Sequence, residues 1–293
     1  MATFSRSTFS HASYAALRPS YPPSLYKRVL DFHIGPRNLL VDLGTGHGVV
    51  ARALAPSFQR VFGTDPSSGM ISQARSLTPS DQYSDVKYHT AAAEYLPMVR
   101  DGEADCIVAG QAAHWFDYGK FWPEMRRILR KRGTVAFWGY KDPVFVDHPK
   151  ASRILFHYAY DDREDRMGPY WQQPGRSIVQ DQLRKVVPPY ENWEEVTRVE
   201  YEPGVEGKRS GEGTPFLEKT VRLGEMLEYL RTWSSYHAWK EAHPEEQRRA
   251  DGGSGDVIDR MFDEMKTSEA WDDSDLEVNI EWGTSLVMAR KKH

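Results

Sequence analysis

The run Val41-Asp42-Leu43-Gly44-Thr45-Gly46-His47-Gly48 constrains this chain more than any other, because an acid and three alternating glycines follow directly on an apolar run beginning at Asn38. A strand entering such a turn, with a helix opening at Val49, is the start of a βαβ unit. Glycine lets the backbone take positive φ and approach a ligand with no Cβ in the way, and the amides of the turn and the new helix would face that ligand. In the dinucleotide fingerprint the third glycine would fall at position 49, which is valine, so a nicotinamide oxidoreductase is disfavoured. A tight turn with no ligand would use the same glycines.

Further signals follow at regular intervals. Val61-Phe62-Gly63-Thr64-Asp65 reads as a second strand ending in an acid about twenty residues after Gly44, where a carboxylate can accept from both ribose hydroxyls of an adenosine. Asp65 and Ser67 also precede a helical run, Gly69 to Ser76, so a helix cap is an equal use of this corner. A third strand, Val86 to His89, leads into Ala91-Ala92-Ala93-Glu94-Tyr95-Leu96-Pro97, and a fourth, Ala104 to Ala109, ends at Gly110-Gln111-Ala112-Ala113-His114-Trp115-Phe116-Asp117. Ligands of open parallel sheets bind beyond the carboxyl ends of the strands. That rule puts His114 and Trp115 beside the reacting group.

Strands expected at 38 to 43, 60 to 64, 86 to 90, 104 to 110 and 133 to 139 alternate with helical segments, the pattern of a doubly wound α/β sheet. Trp193 to Tyr201 and Glu277 to Ala289 would close it as a mostly parallel sheet of seven strands. The chain then divides into an arm over 1–30, a cofactor-binding core over 31–140, a substrate-shaping insertion or lid over 141–190, and closing strands with substrate-side helices over 191–293, all within one domain. Gly204 to Thr214 reads as a surface loop. Val221 to Glu241 has helical spacing, with Leu223, Met226, Leu227, Leu230 and Trp233 on one stripe and Arg231 at its border.

Composition removes several classes. With 293 residues, 40% hydrophobic content and nine Trp the chain can bury a large core, and a net charge of −4 argues against binding nucleic acid by phosphate neutralisation. One cysteine allows no internal disulfide, and no Cys/His cluster has zinc spacing. No apolar stretch approaches the roughly 20 residues of a membrane span, and no hydrophobic signal core is seen at the start. The expectation is a cytoplasmic protein without a membrane or nucleic-acid partner.

The glycine spacing, with Asp42 two residues ahead of Gly44, resembles motif I of the class I S-adenosylmethionine-dependent methyltransferases. Longer segments resemble one branch, the fungal trans-aconitate methyltransferases: Tyr14 with Arg18-Pro19-Ser20-Tyr21-Pro22, Ala113-His114-Trp115-Phe116-Asp117, Trp138-Gly139-Tyr140 with Asp142-Pro143, Gly168-Pro169-Tyr170-Trp171 with Gln173-Pro174-Gly175-Arg176-Ser177, and Leu230-Arg231-Thr232-Trp233-Ser234. The resemblance implies S-adenosyl-L-methionine held by Asp42, Gly44, Thr45, Gly46, Gly48, Asp65, Met70, Ala93, Glu94 and Gln111. Ala92 stands where the family commonly has an acid for the adenine amino group, which leaves Glu94 or a solvated Glu94 as alternatives. It also implies a small polycarboxylic acid, of the trans-aconitate or isopropylmalate type, esterified once. His114 would act at the reacting centre, with Tyr14, Arg18, Tyr21, Trp115, Trp138, Trp171, Arg176, Arg231 and Trp233 around the acceptor.

The chemistry agrees with that inventory. A carboxylic acid with a pKa near about 4 is already ionised at neutral pH, so its methylation needs orientation more than a base. The carboxylates not being methylated need cations, and the planar fork of Arg suits them best. Arg18, Arg176 and Arg231 are the expected anchors. Two other acceptor chemistries stay open: a phenol or amine of a secondary metabolite, with His114 as base, and a homologue that binds the cofactor without transferring methyl.

Overall fold

The computed structural model describes residues 20–271 and 276–292. In chain order its elements are α1 (Pro23–Phe32), β1 (Leu39–Leu43), α2 (Val49–Leu54), β2 (Arg60–Asp65), α3 (Ser68–Ser76), β3 (Val86–Thr90), β4 (Ala104–Gly110), α4 (Tyr118–Ile128), β5 (Leu129–Phe145), α5 (Pro149–Tyr160), α6 (Gly175–Gln180), β6 (Trp193–Glu202), β7 (Glu212–Gly213), β8 (Glu218–Arg222), α7 (Leu223–Leu230), α8 (Ser234–Ala242), α9 (Val257–Glu269) and β9 (Glu277–Lys291). Two compact units share them. One holds Ser20–Lys141, Ser177–Glu200 and the chain from Thr284; the other includes Asp142–Arg176 and Tyr201–Gly283.

The first unit carries the sheet. Strand order is β3-β2-β1-β4-β5-β9-β6, with β1 parallel to both β2 and β4, and β4 parallel to β5. This is the doubly wound α/β arrangement expected from the alternation of elements. Every residue of β1 is buried, as a central strand covered on both faces requires. Its start is pinned electrostatically: one Asp105 oxygen accepts from the amides of Asn38 and Leu39 at 2.7 and 3.0 Å, and the other from Arg130 Nε at 2.7 Å. Beneath the sheet Phe121, Trp122, Phe137 and Trp193 pack with Leu39, Leu43 and Ile107 in one apolar core. Cys106 of β4 is also buried, its thiol pushed up to about 12 by burial, with nearby Asp105 adding to the rise.

The second unit departs most from expectation. Within 141–190, read as an insertion without regular rhythm, β5 runs on to Phe145 and α5 follows. Pro149 sits at its first turn, where no donor is lost, and Ile154, Leu155 and Tyr158 recur at helical spacing on its buried face. The single helix expected over Val221 to Glu241 is two. Thr232 donates its hydroxyl to Tyr229 O at 2.6 Å, its amide closes a tight turn on the same carbonyl, and Trp233 then turns extended. Short strands β7 and β8 pair antiparallel with the end of β6 and the start of β9, so two strands are added to the seven expected. Helix α9 opens on a reciprocal capping box between Asp256 and Asp259. Among the described residues no helix is long and apolar enough to cross a membrane.

Candidate functional site

At the carboxyl end of β1 three glycines turn the chain with φ of 62°, 54° and 84° at Gly44, Gly46 and Gly48. Their surroundings differ. A Cβ on Gly44 would lie 2.4 Å from Ala112 Cβ and one on Gly48 2.3 Å from Tyr88 Oη, whereas one on Gly46 would meet nothing within 4 Å. Gly44 and Gly48 are therefore needed for close packing, and Gly46 presents bare backbone to open space. The Gly46 amide donates to Asp65 Oδ2 at 3.1 Å, while Asp65 Oδ1 accepts from the Ser67 amide at 2.8 Å. Ser67 in turn caps α3 by accepting from the amide of Met70, whose side chain is buried. Helix α2 has only six residues, so the turn's own amides matter more here than a helix dipole.

Asp42 is fully buried beneath the turn and accepts from the Thr45 hydroxyl at 2.5 Å. Burial pushes its carboxyl up to about 7, although the hydrogen bonds from Thr45 and the Ala51 amide pull the other way. Tyr26, on α1, has its hydroxyl raised by burial and then by Asp42, and the buried oxygen has no hydrogen-bond partner among the described residues. Sequence reasoning passed over Tyr26, since nothing distinguished it from the other aromatics of the region. Trp138 is likewise buried with an Nε1 that has no partner among the described residues, its ring meeting those of Tyr21 and Tyr26 edge-on at 5.5 and 6.1 Å. Tyr21 and Trp138 border Gly110 at the end of β4, where an added Cβ would come within 3.1 Å of Trp138 Nε1 and Tyr21.

The next strand end is more internally tied than expected. Gln111, at φ 54°, uses both atoms of its amide on the backbone of Tyr140, at 2.7 and 2.8 Å. Glu94 accepts from the Asp117 amide at 2.8 Å ahead of α4, and its neighbour Ala93 is buried. His114 and Trp115 lie on a single 3-10 turn with ring centroids 4.7 Å apart, His114 half-buried and Trp115 exposed. The first unit thus brings together Asp42, Thr45, the glycines, Asp65 and Met70, and separately Tyr21, Trp138 and Gln111. Tyr14 and Arg18 lie outside the described residues.

The expected acceptor residues Trp171, Arg176, Arg231 and Trp233 belong to the second unit. Arg176 and Asp142 are both close to nine-tenths buried or more, with 11% and 6% of their side chains exposed, and form an ion pair. Arg176 Nη2 also meets the Tyr160 hydroxyl, which reaches both Asp142 oxygens at 2.7 and 2.8 Å. The guanidinium carbon lies 4.0 Å from the Trp171 ring and 5.8 Å from that of Trp233. Burial followed by Asp142 raises the Tyr160 hydroxyl. Asp142 and Tyr160 were not singled out as site residues, yet Asp142 stood in the family-like Asp-Pro segment.

Arg231 requires a correction. Asp256 takes its Nε and Nη2 at 2.9 and 3.0 Å, Asp259 shares Nη2 at 2.8 Å, and Glu228 takes Nη1 at 2.9 Å. Among the described residues three carboxylates take four of its five N–H donors, which leaves no pair of donors for a two-point grip on an acceptor carboxylate. Arg231 is a brace joining the end of α7 to the start of α9.

Residues 41–137 match the family model described as a methyltransferase domain. Over 97% of its length the chain is 30% identical to CRG1 of Saccharomyces cerevisiae, described as a probable S-adenosylmethionine-dependent methyltransferase, of which 96% is covered. A Dictyostelium discoideum protein assigned as a methyltransferase is 27% identical over 96% of this chain and 92% of its own. Among solved structures, one from Anaeromyxobacter dehalogenans assigned as a type II methyltransferase superposes with a TM-score of 0.68 at 25% identity, covering 94% of this chain and 99% of the other. Phosphoethanolamine N-methyltransferase 2 of Haemonchus contortus, solved with S-adenosylhomocysteine, shares the fold at 14% identity and a TM-score of 0.52, over 99% of this chain and 59% of its own.

Proposed function

The chain belongs to the class I S-adenosylmethionine-dependent methyltransferases, and from that membership we propose that it methylates a carboxylate of a small organic acid, of the trans-aconitate or isopropylmalate type. Its cofactor is S-adenosyl-L-methionine, and the glycine turn fits it: bare backbone at Gly46 beside an acid at the end of β2 is a cradle that a Cβ would fill. In this reading Asp65 holds the ribose, Met70, Ala93 and Glu94 border the adenine, and Asp42, Thr45, Gly44, Gly48 and Gln111 shape the end that receives the amino-acid part.

When bound, S-adenosylmethionine supplies a methyl on a sulfonium: an oxygen–carbon bond forms as the carbon–sulfur bond breaks, and ester and thioether leave neutral with no proton transferred. The residues then have to orient the acceptor, exclude water and neutralise charge, work that can be worth about 7 to 11 kcal/mol of barrier. On the first unit His114 is the proposed acceptor contact, with Tyr21, Trp115 and Trp138 as proposed aromatic contacts; on the second, Trp171 and Trp233 flank Arg176.

The acid is what the family-like segment around Arg176 implies, and one observation supports an acceptor contact there: buried and flanked by Trp171 and Trp233, Arg176 keeps an Nε–H that has no hydrogen-bond partner among the described residues. Arg166, Arg248 and Arg290 also keep a buried Nε without a partner among the described residues; what sets Arg176 apart is the pair of Trp rings beside it. The test is a panel of small mono-, di- and tricarboxylates, phenols and amines with labelled S-adenosylmethionine, read by mass spectrometry. Methyl esters among the products are expected. Label appearing only on phenols or amines, with a rate rising through the imidazole range, would replace the carboxyl reading with one in which His114 is a base.

A further inference from the structure

Arg176 is the remaining described cation among the expected anchors, and its charge is already balanced. The neighbours that act on it most strongly are Asp142, Tyr160 and Tyr229, one carboxylate and two phenols. Trp171, held by its Nε1–H on Ala159 O at 2.7 Å, lies over the guanidinium, and the Trp171 and Trp233 rings are 5.3 Å apart. The result is a buried aromatic shell around a neutral Arg–Asp pair whose Nε–H has no partner among the described residues.

We propose that Arg176, with Asp142 and Tyr160 as its counterweight, forms a charge-neutral subsite that takes an uncharged oxygen of the acceptor, a carbonyl or an ether, and that Asp142 selects against a second ionised carboxylate there. The inference rests on the acid-methylating reading and departs from it in one respect: at this subsite an uncharged oxygen takes the place of a second carboxylate of the trans-aconitate or isopropylmalate type. A carboxylate entering the subsite would find its cation already paired and a like charge a few ångströms away, in surroundings too dry to screen the repulsion. A carbonyl oxygen would accept from Nε–H without that penalty. Trp171 and Trp233 then pack against the carbon skeleton that carries it. The acceptor class is an acid with one reacting carboxylate and a neutral polar tail, such as a half-ester, a keto acid or a lactone acid.

The experiment compares kcat/KM for a dicarboxylate and for its own half-ester, first with the wild-type enzyme and then with Asp142→Asn, Tyr160→Phe and the double variant Asp142→Asn/Arg176→Met. A ratio of two acceptors on one preparation does not depend on the folded fraction. Wild type should favour the half-ester at least about tenfold. Asp142→Asn frees the cation and should move the ratio about tenfold or more toward the dicarboxylate, while Tyr160→Phe, which keeps the Asp142 charge, should leave it near the wild-type value. The double variant, with neither charge, should lose the gain made by Asp142→Asn. Affinity for S-adenosylmethionine should stay constant throughout. A wild-type enzyme preferring the dicarboxylate, or a ratio unmoved by Asp142→Asn, overturns the inference while acid methylation stands. Turnover of no acid at all removes the acid reading, and the inference with it.

Discussion

The Gly46 amide donates to Asp65 Oδ2 across 3.1 Å, so the open middle of the glycine turn and the end of the second strand form a single piece. Asp65→Ala removes a charged acceptor that fixes the turn and, in the proposed role, the one that holds the ribose. Hydrogen bonds to charged groups contribute about 1.5 to 3 kcal/mol, so affinity for S-adenosylmethionine should fall about 10- to 100-fold. Calorimetry with an unchanged dissociation constant would take Asp65 out of the donor site.

Asp42 gives that site a pH dependence. Its folded-state pKa is raised to about 7 from 3.8 by burial, so the fold holds a proton that the unfolded chain releases. The stability tied to the neutral carboxyl is complete below 3.8 and is lost as pH rises through 7. The thermal midpoint of Asp42→Asn should therefore gain on wild type between about pH 4 and 7 and run parallel above. A bound donor carrying ammonium and sulfonium charge favours the ionised form. Wild-type affinity for it should climb toward pH 7 with proton release, measured by calorimetry in buffers of different ionisation enthalpy. Asp42→Asn should show neither; a pH-independent wild type would contradict the assignment.

The glycines separate packing from binding. Gly44→Ala sets a methyl 2.4 Å from Ala112 Cβ at a φ of 62°, and Gly46→Ala sets one in open space at 54°. The left-handed backbone alone costs about 1 to 2 kcal/mol. Gly44→Ala should lower the thermal midpoint clearly more than Gly46→Ala. Gly46→Ala should instead lose donor affinity out of proportion to its stability, because the methyl fills the cradle. Equal effects on both measurements from the two variants would deny the cradle.

The parallel sheet and the glycine turn were legible in the sequence because each depends on local patterning. Strands β1, β2 and β4 are short, largely apolar runs ended by glycine or acid, and the turn's φ angles call for glycine. What remained hidden depends on pairing between distant residues. Nothing local marks that Arg176 will meet Asp142 and Tyr160, or that Arg231 will find Asp256 and Asp259 at the head of another helix. The helix stripe through Trp233 read as continuous because hydrophobic spacing persists across the break, which is made by a hydroxyl bonding back to Tyr229. An Arg in a family-like segment looks the same whether it faces a ligand or a carboxylate of its own chain.

That distinction can be measured by comparing the two arginines. Arg231→Met would leave Asp256 and Asp259 buried or partly buried without their cation, and breaking a buried pair from one side costs about 3 to 5 kcal/mol. Asp256 is held down to about 2 despite its burial, which on its own would raise it; the fork of Arg231, the Asp259 amide and the Tyr236 hydroxyl together outweigh that rise. A depressed carboxylate contributes stability above its unfolded pKa and loses it as pH falls, so the thermal deficit of Arg231→Met should be largest near neutrality and shrink on acidification toward pH 2 to 3. The protein that does fold should keep its kcat and its KM for acceptor within about threefold of wild type. Arg176→Met changes the other quantity: KM for the acceptor should rise at least about tenfold, with donor affinity unchanged, because it removes the hydrogen bond proposed for the acceptor oxygen. If Arg231→Met raised the acceptor KM as much as Arg176→Met while its melting stayed at the wild-type value, the brace and the anchor would have to exchange roles.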